Sequence, residues 1–399
     1  MTKYRSIAKL VAVLNFIGCM FSCESVTDFP LDGQLRGRYI RNCYSINPDV
    51  HTEQIIPSQY SIDSICSLNV PDDIVEMGKE KISVVKGYIY ILDTEITKKL
   101  YKFDCEGDLK AIIGERGHAK GEFIGQPEDF FIDSNNNIHV FDRLGYKIIV
   151  YNDKGSVERV AYTEKFLPTS IGLTGSDRYM MHFSAGYKEQ SDEGNLSSSL
   201  LLFDKDNMNH TRLMSSAMDL YCSISDYSFF KDGDRLSYIP DFSDSVIVFR
   251  NDTLEKVVSF DFGGKSLIKE DPQALKQKDD YSFMSDYTGV MGITRYQETE
   301  SLIYMEYIYQ NFGLLWFYNK KNGRFYNGTS PFYGINPYSY YILSDNQIIG
   351  YVDMNTIEEL RRHLENKHFQ ENLNKSPKHV KDLIEGKLLA PALVFMTLK

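Results

Sequence analysis

Four residues with ionisable side chains lie close together in the sequence and could form a ligand site. Glu128 and Asp129 directly follow Pro127, and Arg116 and His118 lie in the glycine-rich stretch before them. Adjacent carboxylates can ligate a cation. Residues of these types are also common on protein surfaces, so their role depends on the elements that position them. We treat the four as a candidate ligand-binding set.

The stretch Gly114–Phe123 has the glycines of a phosphate-binding loop but not its chemistry. It lacks the Lys-Ser/Thr pair of a P-loop, and the residues after it do not begin a helix. Glycine adopts positive φ angles without steric cost, which suits a tight connector between strands. We therefore predict a structural connector here.

No other motif indicates a catalytic or metal centre. Asp133–Asn137 is rich in the side-chain oxygens that calcium prefers, but Ile138 stands where an EF-hand needs Gly and Leu144 where it needs Glu. An Asn-rich hairpin turn is the simpler prediction. His363 and His368 are separated by i, i+5 spacing, which does not place them on one helix face for zinc. The sequence predicts no catalytic residue and no bound metal.

The segments around the candidate set recur along the chain. Asp93 and Asp142 end similar apolar stretches 49 residues apart, and Gly107 and Gly155 follow the next stretches 48 residues apart. Each unit reads as strand, short turn, strand, polar turn and a further strand. A period near 48 residues with about four strands is the length of one β-propeller blade.

Similar strand groups continue to the C-terminus and predict an all-β fold, a six-bladed β-propeller with four-stranded blades over residues 51–399. The last blade would be closed by Gln54–Leu68 from one end of the chain beside Pro391–Leu398 from the other. Such closure removes exposed sheet edges and fixes both ends of the chain. Two charged segments predict helical insertions in this domain, near 265–285 and 356–388.

The N-terminus has the pattern of a lipoprotein signal peptide. A basic start precedes the apolar segment Leu10–Ser22, which is shorter than the about 20 residues needed to span a bilayer. Cys23 and Cys19 each follow a small residue, as lipoprotein signal peptidase requires, although neither has the preferred Leu three positions earlier. We predict a signal peptide over residues 1–22, lipidation of Cys23 with Cys19 as the alternative, and a tether over 23–50. The other interpretation is an ordinary cleaved signal with incidental cysteines.

Composition limits the partners of the chain. The net charge is −11, and removal of residues 1–22 takes away three positive charges and no acid, which leaves about −14. An acidic chain without a block of Lys or Arg argues against nucleic acid. The four remaining cysteines predict no disulfide framework, because they lie far apart without Cys-x-x-Cys spacing. They are Cys43, Cys66, Cys105 and Cys222. The 28 Tyr and 24 Phe residues favour strands over helices.

Gly114–Phe123 together with Pro127–Asp142 resembles the six-bladed β-propeller lipoproteins common in Bacteroidetes, which are similar to NHL-repeat propellers. In that family a Gly-x-Gly-Pro-Gly-Glu-Phe-like connector precedes a Pro and the next inner strand. The match here is Gly117 and the Gly-Glu-Phe that begins at Gly121, while residues 118–120 depart from the Pro-containing form. The last ten residues also look like the closing strand of that family.

The resemblance implies a lipid-anchored, exported propeller that serves as a binding or scaffold module of the cell envelope. The expected location is the outer membrane, on either face, and the expected state is a monomer without a cofactor. The expected ligand is a glycan, a peptide or an envelope protein. It would bind where loops of several blades converge at the channel mouth, and Arg116, His118, Glu128 and Asp129 flank the best-defined connector.

The alternative function is a metal-dependent hydrolase or lyase. Related six-bladed enzymes hold a metal in the central channel with Glu, Asn and Asp side chains from several inner strands. Glu128 and Asp129 begin an inner strand of the predicted propeller and would point toward that channel. Calcium or zinc would be the cofactor under this alternative.

Overall fold

The chain folds into a ring of six sheets. The computed structural model describes residues 39–51, 60–70, 80–94, 96–163, 166–175, 178–191, 194–204, 209–215, 224–225, 227–267, 284–329, 339–388 and 391–398. They form six sheets that each contain four antiparallel strands, and the fourth sheet carries one additional strand. The predicted six-bladed β-propeller with four-stranded blades is confirmed.

The first three blades use consecutive strands. Blade 1 contains β3 (Glu80–Val85), β4 (Tyr88–Asp93), β5 (Lys99–Asp104) and β6 (Leu109–Ile113). Blade 2 contains β7 (Pro127–Ile132), β8 (Ile138–Asp142), β9 (Lys147–Tyr151) and β10 (Val157–Tyr162). Blade 3 contains β11 (Ser170–Leu173), β12 (Tyr179–Ser191), β13 (Gly194–Phe203) and β14 (His210–Ser215).

The next three blades complete the ring. Blade 4 contains β15 (Phe229–Asp232), β16 (Arg235–Tyr238), β17 (Ser245–Arg250) and β18 (Thr253–Asp261). Blade 5 contains β19 (Val290–Glu298), β20 (Leu302–Tyr309), β21 (Phe312–Asn319) and β22 (Phe325–Gly328). Blade 6 contains β23 (Ser339–Ile342), β24 (Gln347–Val352), β25 (Ala392–Leu398) and, as its outer strand, β2 (Tyr60–Ser67).

The first strand of each blade faces the centre of the ring. Each inner strand contacts the inner strands of both neighbouring blades, including β23 with β3. The middle strands are buried on both faces because a blade packs against each side, and every residue of β8 and β9 is buried. The inner strands therefore line a central channel, and the middle strands hold them in place.

A hydrophobic core lies at each of the six junctions between blades. Tyr90 and Phe130 belong to the core between blades 1 and 2, and Ile91 and Tyr351 belong to the core between blades 6 and 1. The other four cores join blades 2 to 6 in succession. Because the last junction is packed like the others, the ring is closed by side chains as well as by strand pairing.

The ends of the chain meet in blade 6, as predicted. β2 pairs with β25 from Tyr60 opposite Leu398 to Ser67 opposite Ala392. A further strand, β1 (Ile40–Ser45), pairs in parallel with the outer strand of blade 4. Ile40–Ser45 therefore belongs to a blade, although the sequence places it in the 23–50 tether. The predicted signal peptide, Cys19 and Cys23 lie outside the described residues.

Three helices follow β24 and pack on blade 6: α1 (Met354–Arg362), α2 (Lys367–Lys375) and α3 (Lys378–Ile384). Asp353 caps α1 by accepting a hydrogen bond from the Thr356 N–H at 2.8 Å. This agrees with the insertion predicted near 356–388, whereas most of the one predicted near 265–285 lies outside the described residues. No helix in the described ranges is long and apolar enough to cross a membrane.

Candidate functional site

The glycine-rich connector between blades 1 and 2 is held by its own hydrogen bonds. The Phe123 N–H donates to Glu115 O, and the Gly117 N–H donates to Phe123 O, both at 2.9 Å. Gly114 has a φ of 74°, and a Cβ atom there would lie 2.5 Å from the Phe123 ring, so only glycine fits. The Phe123 side chain is buried in the core between the two blades. The connector therefore has a structural role and joins neighbouring blades.

Arg116 and His118 lie on the exposed side of this connector. Within the described residues, no hydrogen bond or ion pair joins either side chain to Glu128 or Asp129. Both residues are accessible to a partner, but nothing in the connector orients them toward a common ligand position.

Asp129 is fully buried at the start of the inner strand of blade 2 and accepts from four donors. Its Oδ1 forms an ion pair with Lys81 of blade 1 and accepts from the Phe130 N–H at 2.7 Å. Its Oδ2 accepts from Ser170 Oγ at 2.7 Å and from the Ile171 N–H at 3.1 Å, both in blade 3. A carboxylate offers about four lone-pair positions, and all are occupied here. Asp129 joins three inner strands and has no position left for a metal ion.

Glu128 differs from its neighbour in environment. The pairing of β7 with β8 shifts between Pro127 and Asp129, which leaves Glu128 as the extra residue of a β-bulge. Its side chain is half-buried and accepts one long hydrogen bond, from Gln126 Nε2 at 3.4 Å. The four predicted residues thus occupy three different environments, and their role in ligand binding stays a prediction.

The Asn-rich segment after β7 is a hairpin turn. Asp133 Oδ1 accepts from the N–H groups of Asn135 and Asn137 at 2.9 and 2.8 Å, and its Oδ2 lies 3.3 Å from His139 Nε2. Burial alone would raise the pKa of Asp133, but the hydrogen bonds from His139 and Asn137 outweigh it and hold that pKa well below its usual value. Across the described ranges, no group of three or more His, Cys, Asp or Glu side chains could hold a metal ion.

A cavity of about 560 Å³ lies at the C-terminal ends of the inner strands of blades 1 to 4. Its walls are mainly apolar and include Ile82, Val84, Ile132, Leu173 and Phe230. The volume falls in the range of about 300–1,000 Å³ that is typical of small-molecule sites. The cavity is the strongest candidate site in the described part of the chain, and Arg116, His118, Glu128 and Asp129 are not among its lining residues.

Two aromatic residues from blades that are not adjacent contact each other in the wall of the cavity. The rings of Phe230 in blade 4 and Tyr341 in blade 6 meet edge to face, with centroids 5.7 Å apart. The Tyr341 hydroxyl is hydrogen-bonded to Ser83 and to the backbone of Val84 in blade 1, and burial raises the pKa of Tyr341. These contacts give the cavity a fixed aromatic wall that three blades hold together.

The mouth of the cavity carries opposite charges on opposite blades. Lys86 of blade 1 and Asp232 of blade 4 both line the cavity and are exposed at its mouth. Neither side chain forms a hydrogen bond or an ion pair with another described residue. The neighbouring Asp234 is instead paired with Arg250 at 2.5 Å. Lys86 and Asp232 are therefore two charges at this mouth that are available to a ligand.

The surroundings of Asp232 raise its pKa above the usual value. Burial raises the pKa of Asp232, Asp234 adds to the rise by charge repulsion, and Arg235 opposes it. Asp232 is nevertheless exposed and lines the cavity. A cationic ligand group beside the Asp232 carboxylate would stabilise its ionised form.

The sequence did not lead us to the cavity residues, although the turns that contain them have a recognisable pattern. Lys86 and Gly87 have φ angles of 51° and 79° and form the two-residue turn between the first strands of blade 1. Gly233 and Asp234 form the corresponding turn of blade 4, between Asp232 and Arg235. A search for two-residue turns with glycine directly after each inner strand would have found both charged positions.

Solved structures match this fold. A Bacteroides fragilis NCTC 9343 protein described as a "Putative exported protein" matches with a TM-score of 0.66 at 16% identity, over 90% of this chain and 100% of its own. A member of the DUF4221 family from Bacteroides vulgatus matches with a TM-score of 0.45 at 12% identity, over 86% of this chain and 98% of its own. Virginiamycin B lyase from Staphylococcus aureus matches with a TM-score of 0.41 at 11% identity, over 74% of this chain and 82% of its own. The first likeness shows the fold alone, and the other two support no argument about activity.

No curated protein matches the chain. The similarity to lipoproteins and to NHL-repeat propellers stays a prediction. One family, described as "Domain of unknown function (DUF4934)", matches residues 77–385, which is more than half of the chain and includes the inner strands of all six blades. The chain therefore belongs to the DUF4934 family.

Proposed function

We propose that the protein is a binding module of the cell envelope that holds its ligand in the cavity at the C-terminal ends of the inner strands. The observation that carries this proposal is the cavity of about 560 Å³, with apolar walls and two uncompensated charges at its mouth. Turns on a rigid ring converge there from four blades, which is how many propellers and other scaffolds present a binding site. A glycan, a peptide or a segment of an envelope protein is the expected ligand.

Binding fits the described side chains better than metal-dependent catalysis. Sequence reasoning connected the carboxylates of Glu128, Asp129 and Asp133 with a metal. Asp129 and Asp133 are already occupied by donors from the protein, which leaves only Glu128 of the three, with one long hydrogen bond. Lys86 and Asp232 at the cavity mouth carry opposite charges without a partner among the described residues, and such a pair suits recognition of a ligand with both signs of charge.

We also propose that the chain is exported and anchored in the outer membrane through a lipidated Cys23, with Cys19 as the alternative. The support is the signal-peptide pattern of residues 1–22 together with a structural relative that is described as exported. Labelled palmitate should enter the wild-type protein and be lost in Cys23→Ala or in Cys19→Ala. An unlabelled wild type would contradict the anchor, and label retained in both single variants would contradict its assignment to one of these cysteines. Protease treatment of whole cells would identify the exposed face.

A blocked cavity tests the binding proposal. Ser134 lines the cavity from an exposed turn, so Ser134→Trp places an indole in the mouth. Asn135 is the next residue of the same exposed turn and does not line the cavity, which makes Asn135→Trp the matched control. Glycan and peptide libraries should yield ligands that bind the wild type and Asn135→Trp but not Ser134→Trp.

The connector residues are the other surface to which a ligand could bind. If ligands bind Ser134→Trp as well as the wild type and lose affinity with Arg116→Ala or His118→Ala, the site lies on the connector and not in the cavity. The two surfaces belong to different ends of the inner strands, so one library screen separates them.

A further inference from the structure

The cavity mouth has a charge arrangement that selects among the expected ligands. Lys86 lies in the turn after β3 of blade 1, and Asp232 ends β15 of blade 4. Blades 1 and 4 are opposite each other in a ring of six, so the two residues lie on opposite sides of the cavity that both of them line. A ligand that spans the mouth would meet an ammonium group at one end and a carboxylate at the other.

The wall between the two charges is mainly apolar. Ile82 and Val84 of blade 1, Ile132 of blade 2 and Leu173 of blade 3 form the wall below the mouth. Phe230 adds an aromatic face next to Asp232. Apolar side chains of a ligand would be removed from water here, whereas a neutral sugar would leave both charges without an opposite charge.

We propose that the cavity binds a short apolar peptide with free termini, its α-carboxylate at Lys86 and its α-ammonium group at Asp232. The inference rests on the proposed binding function and specifies its ligand class. A short zwitterionic peptide carries a charge opposite to each of the two, and apolar side chains on it suit the apolar residues of the wall. Charge-assisted contacts at both ends would fix its direction across the channel.

The two key positions can be changed without disturbing the fold. Lys86 has a positive φ, a conformation that Asn tolerates better than Lys, so Lys86→Asn removes the charge and suits the turn. Lys98 is also exposed, has a φ of 56° and does not line the cavity, so Lys98→Asn is its matched control. Asp232→Asn is nearly isosteric, and Asp153→Asn in an exposed turn of blade 2 is its control.

The experiment is calorimetric titration with Leu-Leu-Leu, its N-acetyl form and its C-terminal amide. We expect wild-type protein to bind the free tripeptide about tenfold or more tightly than either blocked form, as charged hydrogen bonds require. Lys86→Asn should lose the preference over the amide but keep the preference over the acetyl form. Asp232→Asn should show the opposite pattern, and both control variants should behave like the wild type.

Failure of this inference and failure of the proposed function give different results. If blocked and free tripeptides bind equally well, or if only neutral saccharides bind and Ser134→Trp abolishes that binding, the peptide inference is wrong while the cavity remains the binding site. If every ligand found binds Ser134→Trp as tightly as the wild type, the cavity is not the site, and both proposals are wrong.

Discussion

Lys81 and Asp129 form an ion pair between the inner strands of blades 1 and 2, in the wall of the channel. The Asp129 side chain is fully buried, and the Lys81 side chain is 15% exposed. The Lys81 ammonium group also lies 5.0 Å from the ring centroid of Tyr227 and 5.7 Å from that of Phe130. Through Ser170, the same carboxylate reaches blade 3, so one side chain joins three blades.

This arrangement predicts a large effect of a single substitution. Asp129→Ala should lower the free energy of unfolding by about 3 kcal/mol or more, because Lys81 would remain in the channel wall without its opposite charge. Urea denaturation followed by tyrosine fluorescence measures the loss. Glu128→Ala is the neighbouring control and should stay within about 0.5 kcal/mol of the wild type, since Glu128 is half-buried with one long hydrogen bond. Equal losses in the two variants would show that the four-donor network does not stabilise the ring.

Two glycines allow the steric role of the connector to be measured. Gly114 and Gly87 have similar φ angles of 74° and 79°, but only at Gly114 would a Cβ atom meet the Phe123 ring. Both Ala variants carry the strain of a positive φ, about 1 kcal/mol. Gly114→Ala should therefore be the less stable of the two, by about 1–3 kcal/mol from overpacking. A thermal midpoint of Gly114→Ala equal to that of Gly87→Ala would contradict the tight fit.

The blade repeat was visible in the sequence because the turns need particular side chains. Asp93 accepts from the Thr97 N–H at 2.7 Å, and Asp142 accepts from the Gly145 N–H at 3.0 Å. Each aspartate caps the turn after the second strand of its blade, so both copies of the repeat keep it. The prediction of the fold therefore depended on the side chains that these turns require.

The site was less visible because residues distant in sequence form it. Lys86 and Asp232 come to line the same cavity only when the ring closes, and the short inner strand Phe229–Asp232 lacks the flanking pattern that marks blades 1 and 2. Asp129 was correctly placed on an inner strand, but its role depends on Lys81, which no local pattern connects with it. Sequence periodicity finds strands, whereas the pairing of charges depends on which strands become neighbours.

Metal addition tests the rival catalytic function. Calcium or zinc should leave the melting temperature of the purified protein unchanged, because Asp129 has all four lone-pair positions occupied and Asp133 is bound within its turn. Chelator-treated protein is the reference sample. A rise in melting temperature that saturates with metal concentration and disappears in Asp129→Asn would support the metal-dependent enzyme instead.

Truncation from the N-terminus distinguishes the contributions of β1 and β2 to the stability of the ring. A chain that begins at residue 53 lacks β1 but keeps β2, so blade 6 still has four strands and we expect one cooperative unfolding transition. A chain that begins at residue 69 also lacks β2, which exposes the edge of β25 and uncovers Met396. We expect this shorter chain to lose cooperative unfolding and to aggregate. Near-ultraviolet circular dichroism during heating distinguishes the two results, and equal behaviour would mean that β2 does not close the ring.

A buried carboxylate between blades 4 and 5 predicts how stability depends on pH. Glu298 binds Lys256 at 2.7 Å and Lys320 at 2.5 Å. Burial alone would raise the pKa of Glu298, but the two lysines outweigh it and hold that pKa below its usual 4.5. Burial also lowers the pKa of Lys320, an effect that concerns alkaline pH only.

The direction of the pH dependence of stability follows from the lowered pKa of Glu298. Its contribution to stability is present above the unfolded-state value near 4.5 and is lost as the pH falls through the lower folded-state value. Glu298→Gln should be less stable than the wild type at pH 7, and the difference in free energy of unfolding should shrink steadily below about pH 4.5. Urea midpoints of both proteins at several pH values between 7 and 3 measure this difference. A difference that stays constant over the range would mean that the ionised form of Glu298 does not stabilise the junction between these blades.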